Sequence, residues 1–153
     1  MLAEVLGKES ILLKRRVKDW REAVELAGQP LLESGAIRRE YIDAMVASVK
    51  ENGPYMVIAE GMALAHARPG EGVNRVGMSL LTLETPVPFG VPEFDPVDLV
   101  IAFSTTSNSA HLEALRELGE ILMDAESVAA IRAATRPEQV LDLFQKAKNE
   151  PVE

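Results

Sequence analysis

The run Val97-Asp98-Leu99-Val100-Ile101-Ala102-Phe103 holds six apolar residues in seven, with no alternation of polar and apolar positions. A strand with one wet face alternates, whereas a short continuous apolar run bounded by turn-forming residues reads as a strand covered on both faces. Pro96 precedes this run and the polar stretch STTSNS at 104–109 follows it. Covering both faces of one strand requires helices on each side of a sheet. The expected fold is therefore α/β, a three-layer α/β/α sandwich in which helices flank a small, mostly parallel or mixed sheet.

Working outward, the flanking patterns supply the other layers. Upstream lies the proline-rich loop TPVPFGVPEFDP at 85–96, and before it the strand-like runs VGMSLLTL at 76–83 and YMVIA at 55–59. The glycine- and proline-containing stretch from Gly61 to Gly72 separates those two runs. ILLKRRV at 11–17 reads as a first strand. Asp19 with Glu22 is a capping-box pattern, and Trp20, Val24, Ala27 and Leu31 recur at helical spacing. Tyr41, Ile42, Met45, Val46 and Val49 make the stripe of a second helix, which Asn52-Gly53-Pro54 stops. Downstream, Leu112, Leu115, Leu118 and Leu122 form another stripe, and Thr135 with Glu138 caps a last helix carrying Val140, Leu141 and Phe144. No repeat, low-complexity tract or long linker interrupts the 153 residues, so one domain over 1–153 is expected.

Composition narrows the chemistry. Sixteen basic against twenty-four acidic residues give a net charge of −8, which argues against phosphate-driven nucleic-acid binding. The basic run Lys14, Arg15, Arg16 and Lys18 reads as the solvated face and edge of a strand. No apolar run approaches the roughly 20 residues that span a bilayer, and Glu4, Lys8 and Glu9 interrupt any signal-like start, so a cytoplasmic location and no membrane insertion are expected. The absence of cysteine removes thiolate nucleophiles, disulfides and thiolate metal sites. No phosphate-binding glycine loop, dinucleotide fingerprint, HExxH or GxSxG motif is present. Two histidines 45 residues apart form no helical i, i+4 ligand pair, so no metal or cofactor is expected.

Imidazole chemistry thus rests on His66 and His111. His66, in GMALAHARPGEGV, lies where a sheet-associated segment emerges into a loop, the kind of place where functional side chains gather on a rigid scaffold. Its ring either bonds a neighbouring carbonyl to order the turn or carries chemistry. His111 falls in the first turn of a helix whose cap is Ser107, Asn108 or Ser109, among free N–H groups at the positive end of a helix dipole. A neutral imidazole there is either a solvated helix-start residue or a donor aimed at a phosphate.

Three segments settle between these alternatives by resemblance: ENGPYMVIAEGMALAHARPGEGV at 51–73, PVPFGVPEFDPVDLVIAF at 86–103 and SNSAHLEALRELGEIL at 107–122. Together with the helical lead-in YIDAMVASVK, they resemble the IIA component of the phosphoenolpyruvate-dependent sugar phosphotransferase system, mannitol–fructose type, with the ascorbate-type subgroup nearest. The resemblance implies a phosphoryl carrier, with the phosphoacceptor at His66 and the second active-site histidine at His111. It implies phospho-HPr as donor, a IIB domain as acceptor, and the IIC permease as an indirect partner in sugar uptake. Lys50, sixteen residues before His66, stands where mannitol-type members place an arginine, implying positive charge there; a solvated lysine near a helix end is the plainer alternative.

Departures from the family pattern set further expectations. Ala65 replaces the proline common before the histidine, so the His66 loop is expected to be less rigid. Glu60 stands where ascorbate-type members tend to have proline, and STTSNS lacks the acidic residue that often precedes the second histidine, a role Ser107, Asn108 or Ser109 would take. The other reading is a regulatory IIA-like protein, whose phosphorylation state controls a partner without sugar transport. A degenerate member that binds partners without transfer is a third.

Overall fold

The computed structural model describes residues 5–52, 55–68, 72–106 and 112–149. After a 3-10 turn at Lys8–Ser10, the order is β1 (Ile11–Arg15), α1 (Trp20–Glu33), α2 (Arg39–Asn52), β2 (Val57–Ala59), β3 (Met62–Ala65), β4 (Gly77–Val87), β5 (Val97–Ser104), α3 (Leu112–Leu122), α4 (Ala125–Ala133) and α5 (Pro137–Asn149). The strands form one sheet in the order β1-β4-β5-β3-β2. β1 runs parallel to β4, β4 antiparallel to β5, β5 parallel to β3, and β3 antiparallel to β2. The C-terminal ends of β3 and β5 therefore point the same way, side by side.

The Val97–Phe103 run sits at the centre of this sheet and is covered on both faces. Val100 and Ala102 join Leu81 and Leu83 under α1 and α2, while Leu99, Ile101 and Phe103 join Met78 and Leu80 under α3, α4 and α5. The three-layer α/β/α sandwich with a mixed sheet is what the structure shows. One polar side chain enters the α1 face: the Ser79 hydroxyl donates to the Ala27 carbonyl of α1. The helix start at Asp19 is capped by its own carboxylate, which accepts from Glu22 N–H at 2.9 Å.

Several expectations need correcting. Met62–Ala65, within the stretch that separates the two strand-like runs, is strand β3, the sheet-associated segment expected ahead of His66, paired with β5 from Met62↔Leu99 to Ala65↔Ala102. β4 continues through Thr85 and Pro86 to Val87, into the loop read at 85–96. α4 was not anticipated; Asp124 caps it by accepting from Ser127 N–H. The last helix is closed by Gln139 rather than Glu138, since the Gln139 Oε1 accepts the N–H groups of Thr135 and Arg136. In α3 the buried face is Ala114, Leu118 and Ile121, and Leu112 is 60% exposed, because the helix turns its leucine stripe partly off the sheet.

The basic run does lie on a strand edge, since β1 is a terminal strand of the sheet. Lys14 there adopts φ +56°, where the register with β4 shifts, and its Nζ donates to the Arg132 carbonyl at 2.6 Å. Arg16 makes a two-point pair with Glu84. Among the described residues, no helix is long and apolar enough to cross a membrane.

Candidate phosphotransfer site

His66 is the first residue past β3, and Ala65 before it is fully buried and paired with Ala102 of β5. The strand ladder therefore carries order up to the histidine itself. Beyond it, the Ala67 N–H donates to the Tyr41 hydroxyl at 3.0 Å, and that hydroxyl donates to the Phe103 carbonyl at 2.6 Å. Tyr41 thus joins the C-terminal ends of β3 and β5 to α2, and burial pushes its phenol up to about 12. Further on, Gly72 at φ +75° packs where a Cβ would meet the Tyr41 amide at 2.8 Å, and its carbonyl accepts from Arg38 N–H at 2.7 Å. Among the described residues around His66, Ala65 is held by the ladder, and Ala67 and Gly72 are attached to Tyr41 and Arg38 at the start of α2.

The imidazole is half-buried, and its Nδ1 lies 2.8 Å from the Leu64 carbonyl oxygen. A carbonyl only accepts, so Nδ1 carries the proton and donates. In the neutral ring Nε2 then holds the lone pair, and no hydrogen bond to Nε2 exists among the described residues. The ring does bond a neighbouring carbonyl, one of the two readings left open for it, and that bond leaves the lone pair of the other nitrogen free.

Tyr55 flanks the ring. The two rings stand edge to face at 88° with centroids 5.2 Å apart. The Tyr55 hydroxyl accepts from Ser48 Oγ at 2.9 Å and donates to the His66 carbonyl at 3.2 Å. Tyr55 and Ser48 were not singled out from sequence, because contacts spanning 7 and 11 residues match no local helix or strand period and form only when the end of α2 and the β2–β3 pair fold together. Tyr41 was read only as part of an apolar stripe. A tyrosine in such a stripe is itself a signal, since a buried hydroxyl needs partners.

Lys50 is exposed in the last turn of α2. It follows Ser48 by two positions, roughly 200° around the helix from the side chain that faces Tyr55. No hydrogen bond or ion pair joins it to His66 among the described residues. His111 lies outside the described residues, as do Ser107, Asn108 and Ser109. The chain on either side of that stretch is β5, which ends beside β3, and Leu112 at the start of α3.

Comparison with known proteins agrees with this fold. The sequence matches the family described as phosphoenolpyruvate-dependent sugar phosphotransferase system, EIIA 2, over residues 4–147. The chain belongs to that family, whose members are phosphoryl carriers in sugar uptake. It is 34% identical over 139 residues to the ascorbate-specific PTS system EIIA component of Escherichia coli (strain K12), covering 90% of each chain. Its fold is similar to the mannitol-specific cryptic phosphotransferase enzyme IIA CmtB of Escherichia coli, with TM-score 0.85, 34% identity, and 95% and 98% of the two chains covered. It is also similar to a structure described as a complex of enzyme IIAMTL and phosphorylated enzyme IIBMTL from Escherichia coli, with TM-score 0.79, 26% identity, and 92% and 96% coverage.

Proposed function

We propose that this chain, as a single cytoplasmic IIA domain, accepts a phosphoryl group on Nε2 of His66 from phospho-HPr and passes it to a IIB domain. The observation that carries the reading is the Nδ1–H bond to the Leu64 carbonyl, which directs the ring's lone pair to Nε2. The attacking lone pair forms a bond to phosphorus as the donor's bond breaks, its electron pair returning to the donor nitrogen. While phosphorus is attached, the retained Nδ1 proton makes the ring a good leaving group. On onward transfer, the imidazole then departs as the neutral tautomer it began as. Such transfer needs alignment and charge stabilisation more than acid–base exchange.

His111 is assigned the second role, donating a hydrogen bond to the phosphoryl oxygens, and Lys50 a contribution of positive charge from the end of α2. The structure of enzyme IIAMTL with phosphorylated enzyme IIBMTL supports IIB as acceptor. Similarity to the ascorbate-specific component favours ascorbate uptake through a IIC permease. The test is labelling with phosphoenolpyruvate, enzyme I and HPr, followed by addition of candidate IIB domains. Wild type is labelled and His66→Ala is not; equal labelling of His66→Ala overturns the assignment. His111→Ala keeps the label but transfers more slowly.

A further inference from the structure

Tyr55 is 43% exposed, yet its hydroxyl is bonded at two points and its ring is set against His66. Three elements meet in this one side chain: Ser48 from α2, Tyr55 itself just before β2, and His66 just after β3. The bond from Nδ1 to Leu64 sets the turn of the imidazole about its Cβ–Cγ bond, but one hydrogen bond at a partly exposed site holds that turn only weakly on its own. We propose that Tyr55 is a positioning residue that fixes the plane of the His66 ring. Pinned between Ser48 Oγ and the His66 carbonyl, its ring stands at 88° to the imidazole and closes that turn from one side.

The inference rests on the reading of His66 as phosphoacceptor for its functional consequence. A nitrogen lone pair lies in the plane of its ring, so fixing the plane fixes the line along which the bond between Nε2 and phosphorus forms and breaks. Small errors of alignment on that line carry large losses of rate. The hydroxyl pins and the ring contact are separable: Tyr55→Phe keeps the ring and loses both pins, whereas Tyr55→Leu loses all of it.

The experiment uses the full chain labelled with 15N and 13C in its histidines. Side-chain couplings and relaxation in the unphosphorylated protein read the order and tautomer of the His66 ring, and labelling from phospho-HPr then reads the transfer rate. The wild-type ring is expected in a single orientation with the proton on Nδ1. Tyr55→Leu averages that orientation and slows transfer on the order of tenfold at an unchanged melting temperature. Tyr55→Phe recovers most of the rate. A Tyr55→Leu ring as ordered as wild type, with an unchanged transfer rate, overturns the proposal. Loss of ring order in a protein whose His66 is never labelled supports the positioning while overturning the phosphoacceptor reading.

Discussion

Tyr41 joins, through one buried hydroxyl, segments 26 and 62 residues away, whereas the Tyr55 hydroxyl at the surface joins neighbours 7 and 11 residues away. Tyr41→Phe leaves the Ala67 N–H and the Phe103 carbonyl without that partner, so a stability loss of roughly 1–3 kcal/mol is expected in urea unfolding at neutral pH. The phenol also sets a pH dependence. Its folded value is raised to about 12 because burial penalises the phenolate, against about 10 in the unfolded chain. The folded state holds the proton more tightly, so this contribution is complete below pH 10 and is lost as pH rises through about 12. Unfolding curves for wild type should weaken across that interval more than those for Tyr41→Phe; parallel losses in the two proteins would remove the assignment.

At the scale of elements, the connections at the end of the sheet opposite His66 are held by hydrogen bonds to main-chain groups. The Asp95 carboxylate accepts from the N–H groups of Phe89, Gly90 and Val91 at 2.7, 2.9 and 2.9 Å, folding the β4–β5 connection onto itself. The neighbouring Phe94 carbonyl accepts from Gly61 N–H in the β2–β3 turn. Asp95→Ala is expected to destabilise by roughly 2–3 kcal/mol, measured by thermal or urea melts. Gly61→Ala is expected to cost about 1 kcal/mol or more, since φ +71° disfavours a side chain and a Cβ would stand 2.5 Å from Arg132 Nη2. Some elements were legible from local pattern: the Val97–Phe103 run announced its own burial, and Asp19 with Glu22 marked a helix start. β3 was legible only as a sheet-associated segment ahead of His66, without bounds, because Met-Ala-Leu-Ala after a glycine has no β-branched residue and owes its extended form to pairing with β5. α4 was missed because its buried positions reduce to Val128 and Ile131, too few to set a period. His66 stood out as one of two histidines, while the tyrosines and serine around it became visible only when the sheet brought their segments together.

Across the whole molecule, ion pairs contribute little to the fold. Lys8–Glu138, Arg16–Glu84 and Arg116–Glu120 are exposed, and the half-buried Arg132–Asp98 pair ties α4 to β5. With a net charge of −8, added salt relieves self-repulsion as it screens these pairs. The melting temperature in about 1 M sodium chloride is therefore expected within a few degrees of that in about 0.1 M, or above it; a fall of more than ~10 °C would contradict this balance. The bond that orients His66 differs in kind from all of these. Its acceptor is the peptide oxygen at position 64, which every amino acid supplies. Point mutation at that position cannot delete it, so no single substitution there turns the acceptor nitrogen of this ring into the donor. Drift in a lineage of such chains is free to alter the surrounding side chains and their partners, while which nitrogen carries the proton is inherited with the strand itself.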